Sequence, residues 1–360
     1  MNYSARLDNL RRKLSSAKYD ALVISELNNV RYLCGFTGTS GMLAITANEA
    51  YFITDFRYQS QAAEQVDPRY QTAIAEKGLW KETARLLKKL KVKRVGFEAE
   101  HTSVAALEDI TKLLKPAEPI STQRIVEDLR VRKDADEIAI IQCAVDIIDD
   151  CFHYLCDMLR PGMTEIAIAN EIERSIRERG ASGASFTPIV VSGERGALPH
   201  GRASNKPIAP GDMVTIDMGA LVDGYCSDCT RTICMGKPTR EQQKIYELVW
   251  RAQTESSAAL RPGLGCKEAD AVARGIIDSG GYAEQFGHGL GHGVGLDIHE
   301  QPRLSKLGKG KLAPGMIVTS EPGIYIEGWG GVRIEDMIVI TADGAQTLTH
   351  ASKPRKIIAL

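Results

Sequence analysis

The chain has 360 residues, which is more than one hydrophobic core usually holds, so two domains are expected. Its 45 Lys and Arg residues nearly balance 46 Asp and Glu residues, which argues against a nucleic-acid partner. No signal peptide is evident, and no apolar run approaches the roughly 18 residues of a membrane span. These features predict a cytoplasmic protein without a membrane partner.

The eight cysteines form no compact framework. Cys226 and Cys229 make a C-x-x-C pattern, but it lies in a predicted strand, where side chains three positions apart point to opposite faces. We therefore expect reduced thiols that pack rather than a metal or redox pair.

Residues 1–120 are predicted to form an α/β domain. The expected elements are a helix (6–17), a strand (19–25), a hairpin (42–46 and 51–55), two helices (59–65 and 80–90), a strand (94–97) and a helix (104–114). The glycine-rich segment 35–41 lacks the lysine and the strand–loop–helix setting of a phosphate loop, so we interpret it as a tight connection. Two prolines within 115–119 predict a linker to the second domain, 121–360.

The second domain is predicted to open with a long helix from Lys133-Asp134. Its apolar residues recur in steps of three and four, which favours burial against a sheet over a short coiled coil. The motif Leu-Arg-Pro-Gly at 159–162 returns at 260–263, and the pattern at 209–219 returns at 313–323. This self-similarity predicts two related halves around a pseudo-twofold axis.

The stretch 214–232 is predicted to form two strands joined by a turn at Val222-Asp223-Gly224, with the loop centred on either 222–223 or 223–224. Strand periodicity places Asp217 and Asp228 on one face. Two carboxylates in a largely apolar sheet repel each other and are costly to desolvate, so a positive charge is expected between them. A solvent-facing pair at a sheet edge is the alternative.

The internal repeat favours a pair that shares a positive charge over a solvent-facing pair, because the counterpart of Asp217 in the second half is another carboxylate, Glu321. Asp228 follows Asp217 along the chain much as Glu335 follows Glu321. Two carboxylates from each half, brought together by the pseudo-axis, would form an oxygen-rich cluster that suits two hard divalent cations.

Histidines gather near this cluster in the sequence. His288, His292 and His299 lie in or beside a glycine-rich stretch, 287–295, that is a poor helix former and lets the imidazoles point inward. His200 follows a Leu-Pro pair, and a structural role is a closer alternative there. The other three histidines stand alone and are expected to be structural or exposed.

At this point the sequence resembles the pita-bread metallopeptidases. Five residues match that family's metal ligands in order and spacing, within the motifs IDMG, GYCSDCTRT, GHGVGLDIHE, SEPGIY and GVRIED: Asp217, Asp228, His292, Glu321 and Glu335. Residues 1–120, with GFTG and ITDFRY, resemble the N-terminal domain of Xaa-Pro peptidases and creatinase. The resemblance implies a mixed α/β chain, with a creatinase-like domain followed by a pita-bread domain.

The resemblance also implies the role of each ligand. Asp217 would bind one metal ion, His292 and Glu321 the other, and Asp228 and Glu335 would bridge both. Mn²⁺ is the first expectation, with Co²⁺, Zn²⁺ and Fe²⁺ as alternatives. A metal-bridging hydroxide would then attack the scissile carbonyl.

Around the metals, the resemblance implies further site residues. Glu321 would take and return a proton. His200 and His299 would donate to the developing oxyanion, and His288 would shuttle protons or hold the substrate. Tyr325 would line the substrate pocket, with a packing role as the alternative.

The expected substrates are short proline-containing peptides, cleaved at an N-terminal Xaa-Pro bond. Two activities remain open, an Xaa-Pro aminopeptidase and an Xaa-Pro dipeptidase. Arg303 resembles an arginine that grips the substrate carboxylate in small prolidases. Arg333 is a second candidate, which could instead pair with a ligand carboxylate. A homodimer is also implied, and a non-catalytic peptide-binding module and a creatinase-type hydrolase are the alternatives from other classes.

Overall fold

The structure is a computed structural model that describes residues 1–15 and 18–360. Two units separate in it, Met1–Arg130 and Val131–Leu360. The first unit extends beyond the boundary predicted at residue 120. Among the described residues, no helix has the length and apolarity needed to cross a bilayer.

The first unit is built on a mixed sheet with the strand order β4-β3-β2-β1-β5-β6. Its strands are β1 (Ala21–Ile24), β2 (Met42–Thr46), β3 (Ala50–Thr54), β4 (Gln71–Ile74), β5 (Arg94–Glu98) and β6 (Glu118–Thr122). Its helices are α1 (Tyr3–Ser15), α2 (Leu27–Cys34), α3 (Gln59–Gln65), α4 (Leu79–Lys89), α5 (Val104–Leu114) and α6 (Glu127–Arg130). The predicted α/β organisation and the β2–β3 hairpin are confirmed.

Four helices and strands of this unit escaped the sequence prediction, namely α2, β4, β6 and α6. The linker predicted at 115–119 is wrong, because Pro119 lies in β6, which pairs in parallel with β5. An edge strand tolerates proline, since one side of its backbone has no partner strand. The predicted end of the first helix, at residue 17, lies outside the described residues.

The second unit carries helices and several small sheets. Its helices are α7 (Ala135–Met158), α8 (Glu165–Glu178), α9 (Arg240–Ala259) and α10 (Cys266–Ser279). Its first-half strands are β7 (Gly183–Ala184), β8 (Ile189–Ser192), β9 (Met213–Met218), β10 (Ala220–Val222), β11 (Tyr225–Cys226) and β12 (Cys229–Cys234). Its second-half strands are β13 (Gly291–Gly293), β14 (Glu300–Leu304), β15 (Ile317–Ser320), β16 (Gly323–Ile326), β17 (Gly330–Arg333), β18 (Asp336–Ile340) and β19 (Ala345–Thr347).

The strands of the two halves form separate sheets. The strand orders are β12-β9-β8 and β11-β10-β7 in the first half, and β14-β13-β15-β18-β19 and β16-β17 in the second. Each half therefore repeats the order helix, helix, strands, as the internal sequence repeat predicts.

Each half has its own hydrophobic core. In the first half, Ile148 and Phe152 of α7 are buried with Val214 and Ile216 of β9. In the second half, buried residues of α9 and α10, such as Val249, belong to one cluster with residues of β15, β17 and β18. The apolar stripe of α7 is therefore buried against a sheet, as predicted.

Helix α7 begins where the sequence predicts. Asp134 caps it by accepting a hydrogen bond from the backbone N–H of Glu137, and the Glu137 side chain accepts one from the backbone of Asp134. This reciprocal capping box satisfies two N–H groups that the first turn of a helix leaves unpaired. The second half has the same capping box at the start of α9, formed by Thr239 and Gln242.

Candidate metal centre and active site

A cavity of about 560 Å³ opens in the second unit. It is lined by every predicted site residue: His200, Asp217, Asp228, His288, His292, His299, Arg303, Glu321, Tyr325, Arg333 and Glu335. These residues span more than a hundred positions in the sequence, and the fold brings them around one space. The cavity also has an apolar wall that the sequence analysis missed, made by Phe186, Ile189 and Ile298. Only Ile298 carried a signal, since it immediately precedes His299.

The first half supplies two carboxylates from one hairpin. Val222 pairs with Tyr225 around a turn in which Asp223 and Gly224 have φ of 43° and 73°. Both values suit a type I′ turn, which matches the twist of the flanking strands. Asp217 of β9 lies opposite Thr230 of β12, so Asp228, two positions from Thr230, shares its face. The predicted placement is confirmed.

The second half supplies two more carboxylates at the ends of its strands. Glu321 follows β15 directly, and Glu335 stands between β17 and β18. The buried Arg231 holds this second position, because it donates to the backbone oxygen of Glu335 and pairs with Asp336 at 2.8 Å. The backbone of Glu335 is therefore fixed, and its side chain lines the cavity.

His292 lies on β13, between β14 and β15. A side chain at Gly291 would place its Cβ 2.1 Å from the backbone oxygen of Thr319, so the neighbouring strand can approach only a glycine here. The structure shows that at Gly291 the close neighbour is strand β15.

The ring of His292 is oriented by its own backbone. Nδ1 lies 3.1 Å from the backbone oxygen of Gly293, which can only accept, so Nδ1 carries the proton of the neutral ring. Nε2 then presents a lone pair to Asp228 Oδ2 at 3.6 Å and to Glu321 Oε1 at 3.3 Å. Burial lowers the pKa of His292, which favours this neutral form. Three acceptors facing one another need a positive charge between them, which a proton or a metal cation can supply.

The carboxylates that line the cavity also lack enough positive charge around them. Within the described residues, Asp217 Oδ1 and Glu335 Oε1 are buried without a hydrogen-bond partner. Burial, followed by the charge of neighbouring carboxylates, raises the pKa of Asp228 and of Glu335 well above the usual range. Asp228, His292 and Glu335 each offer a ligand atom, and these atoms lie within 4.8 Å of one another. The residues present therefore fit divalent cations, which prefer such oxygen-rich sites with an imidazole.

Arg333 is held by groups of the protein itself. Its Nη2 donates to Asp217 Oδ2 at 2.7 Å, and its Nε donates to Thr230 Oγ1 at 3.0 Å. Its Nη1 donates to the hydroxyl of Tyr325 at 3.0 Å and to the backbone oxygen of Pro199 at 3.1 Å. These contacts agree with the alternative prediction from the sequence, in which Arg333 pairs with a site carboxylate.

His288 and Tyr325 form a connected pair beside the carboxylates. Nδ1 of His288 lies 2.8 Å from the backbone oxygen of Gly289, and Nε2 lies 2.9 Å from the hydroxyl of Tyr325. Because the carbonyl only accepts, Nδ1 donates and Nε2 accepts the Tyr325 proton. Burial lowers the pKa of His288 and raises that of Tyr325, so both groups stay neutral in this arrangement.

Other residues that line the cavity are exposed and form its open end. His200, His299 and Arg303 are exposed residues, whereas Asp228 and Glu335 are buried. The rings of His299 and His292 meet edge to face, with centroids 4.4 Å apart. Partial burial and the neighbouring His292 lower the pKa of His299. The cavity thus has a buried acidic end and an open end with histidines and one arginine.

In the metal-free protein, the acidic end is expected to make the free energy of unfolding fall as pH rises. The folded-state pKa of Asp228 is raised above its unfolded value, so the folded state holds more protons between the two values. This contribution is favourable below the unfolded pKa and is lost as pH rises toward the folded one. Urea unfolding of metal-free wild type and Asp228→Asn from about pH 4 to about pH 8 checks this.

The difference in unfolding free energy between the two proteins should move in favour of Asp228→Asn as pH increases. A difference that is independent of pH would contradict the raised pKa. Asp223→Asn, in the exposed turn of the same hairpin, is the matched control and should show no such trend.

Buried carboxylates, an imidazole and exposed histidines that line one cavity are the groups expected of a metal-dependent hydrolase. The sequence model of metallopeptidase family M24 matches residues 139–342, and that of the creatinase/prolidase N-terminal domain matches residues 6–132. The chain belongs to metallopeptidase family M24. The predicted family and fold class are confirmed.

Full-length relatives support this assignment. The uncharacterized peptidase YqhT of Bacillus subtilis is 44% identical over 357 residues, covering 99% of this chain and 100% of that protein. The solved Xaa-Pro dipeptidase from Bacillus anthracis is 42% identical with a TM-score of 0.97, covering 100% of both chains. The X-Pro aminopeptidase from Thermotoga maritima is 35% identical with a TM-score of 0.90, covering 98% of this chain and 100% of that one.

Proposed function

We propose that this metallopeptidase removes Xaa from the N-terminus of short Xaa-Pro peptides. We also propose that Asp217, Asp228, His292, Glu321 and Glu335 hold two divalent cations, with Mn²⁺ the first choice. The observation that carries the proposal is that Nε2 of His292 lies 3.6 Å from Asp228 Oδ2 and 3.3 Å from Glu321 Oε1 in the buried part of the cavity. The names of the relatives, which include an Xaa-Pro dipeptidase and an X-Pro aminopeptidase, support the substrate class.

The cations, when bound, would lower the pKa of water and polarise the scissile carbonyl. Glu321 serves as the general base, because burial raises the pKa of its carboxyl and brings it closer to neutral pH. Thr319 donates to Glu321 Oε1 at 3.0 Å and fixes the carboxyl while it accepts a proton and returns it to the leaving amine.

The histidines act on the substrate side. His299 and His200 lie at the open end, where each can donate a hydrogen bond to an oxyanion that develops on the scissile carbonyl. His288 is a neutral ring with its Nδ1 proton held by Gly289, and Tyr325 completes its hydrogen bonding at Nε2. We propose that His288 is a catalytic group that shuttles protons and that Tyr325 lines the substrate pocket.

Arg303 favours the dipeptidase over the aminopeptidase. Its guanidinium lines the cavity, is exposed, and makes no hydrogen bond or ion pair with any residue the structure describes. The register sets Arg303 opposite His292 on neighbouring strands. A free guanidinium is suited to bind the C-terminal carboxylate of a dipeptide in a bidentate manner. Arg333, whose donors are already engaged, is the weaker candidate for this role.

Replacing Arg303 by Gln is expected to raise KM for an Xaa-Pro dipeptide roughly ten- to a hundred-fold, which corresponds to losing a hydrogen bond to a charged group. KM for the C-terminally amidated Xaa-Pro should change little, because that substrate has no carboxylate to lose. Steady-state kinetics on both substrates measure the effect, and Lys306→Gln, an exposed cation three positions away, is the control. Equal changes on both substrates would remove Arg303 from carboxylate binding.

The proposal as a whole is tested by assaying Xaa-Pro, Xaa-Pro-Yaa and Met-Ala-Yaa side by side, with Mn²⁺, Co²⁺, Zn²⁺ or Fe²⁺ added in turn. Cleavage of the first two and not the third supports the substrate class, and their ratio separates dipeptidase from aminopeptidase. No turnover of either proline peptide with any metal would refute it. Metal analysis of the purified protein separates the enzyme from a peptide-binding module, which should bind no stoichiometric metal.

The homodimer and the cytoplasmic location implied earlier stay predictions. Light scattering of the purified protein would check the first of them.

A further inference from the structure

Helix α10 carries a buried ion pair one turn apart on the face toward the segment that precedes β13. Arg274 donates from Nε to Asp270 Oδ2 at 2.8 Å and from Nη2 to Asp270 Oδ1 at 2.9 Å. The two side chains are only 11% and 2% exposed. The pair is bidentate and lies outside the cavity lining, so nothing in the proposed chemistry uses it.

This pair makes three hydrogen bonds to backbone groups of the segment 286–290. Arg274 Nη1 donates to the backbone oxygen of Phe286 at 2.9 Å, and Nη2 donates to that of His288 at 2.8 Å. Asp270 Oδ1 accepts from the backbone N–H of Leu290 at 3.0 Å. The guanidinium also lies over the ring of Phe286, 4.2 Å from its centroid. Both ends and the middle of this segment are thereby fixed to α10.

The side chain held at the middle of the segment is that of His288. The ring of Phe286 packs against its imidazole edge to face, with centroids 5.1 Å apart. The Nδ1–H bond to the Gly289 carbonyl depends on the backbone path through the same residues. If the segment were released, that carbonyl would no longer define which ring nitrogen carries the proton.

We propose that Arg274, oriented by Asp270, is a positioning residue that sets the tautomer and direction of the His288 imidazole in the cavity. Its effect on catalysis rests on the proposed function, but the placement of the ring does not. A pair that only stabilised its own helix would need no contacts beyond it. Arg251 and Glu255 on α9 are such a pair, at the same spacing, 4.0 Å apart and about half exposed.

Arg274→Lys is the informative substitution. Lysine keeps the charge beside Asp270, but a single ammonium lacks the planar fork that reaches a carboxylate and two carbonyls together. In the metal-free wild type, ¹⁵N NMR of labelled histidine should show His288 as a single tautomer with Nδ1 protonated, assigned by its loss in His288→Asn. In Arg274→Lys the two nitrogens of His288 should average toward a mixture of tautomers. Arg251→Lys is the matched control and should leave the His288 signals unchanged.

Kinetics form the second arm. With bound metal confirmed as unchanged, Arg274→Lys should lower kcat on Xaa-Pro roughly ten- to a hundred-fold and leave KM within about threefold, because a misplaced catalytic group costs rate rather than binding. A folded Arg274→Lys protein with the wild-type His288 tautomer would overturn the proposal. If that variant does not fold, Asp270→Asn, which keeps an acceptor for Leu290 but loses the charge that orients Arg274, is judged by the same NMR criterion. Absence of Xaa-Pro cleavage in the wild type would refute the proposed function, while the NMR arm would still decide the role of Arg274.

Discussion

Asp228→Asn is expected to abolish metal-dependent turnover while the protein remains folded. The substitution keeps the size of the side chain but removes the charge at the position proposed to bridge both cations. Metal ions contribute several kcal/mol of transition-state stabilisation, and each 1.4 kcal/mol is a factor of ten, so kcat/KM should fall by roughly three orders of magnitude or more. Steady-state kinetics measure the loss of turnover, and the metal content per chain measures the loss of bound cations.

The matched control is Asp223→Asn, which makes the same chemical change in the turn of the same hairpin. Asp223 is exposed and has φ of 43°, a conformation that asparagine also tolerates. Wild-type kinetics are expected for it. Activity and metal content retained in Asp228→Asn would argue strongly against a two-metal site at these residues.

His299→Ala is expected to lower kcat by roughly two or more orders of magnitude, the size of losing one oxyanion donor. His299 lies at the open end of the cavity, with its ring against that of His292. Because the lowered pKa leaves the ring neutral near pH 7, it donates through a single N–H and carries no charge that would bind the ground state tightly. KM should therefore change much less than kcat.

Metal content must be measured in this variant as well, since His299 touches His292. His153→Ala, an exposed histidine on α7, is the control and should behave as wild type. A loss of less than about threefold in His299→Ala, with full metal content, would remove His299 from the mechanism.

Much of the site was predictable because its residues sit at element ends that the sequence marks. The Asp-Gly turn set the parity of Asp217 and Asp228, and the internal repeat pointed to Glu321 as the counterpart of Asp217. Both inferences need only the two-residue period of strands and a recurring motif. The long helix α7 was equally predictable from its cap at Asp134 and the spacing of its apolar residues.

Other features had no local signal. The prolines at 115–119 predict a linker where the structure has the edge strand β6, because proline is typical of boundaries and an edge position is known only once the sheet is assembled. Phe186 and Ile189 line the cavity, although no motif surrounds them. Asp270 and Arg274 bind the segment 286–290 through backbone N–H and C=O groups, which are the same in every such residue and leave no pattern in the sequence.

The sequence by itself determined which residue types were available for chemistry and which strand faces would carry them, because periodicity and turn geometry act over a few neighbouring residues. Only the tertiary structure decided how each group is used. It showed that the guanidinium of Arg333 is engaged by Asp217, whereas that of Arg303 is free, and that Nε2 of His292 faces two carboxylates. These outcomes depend on distances between residues far apart in the chain, and burial then sets their charge.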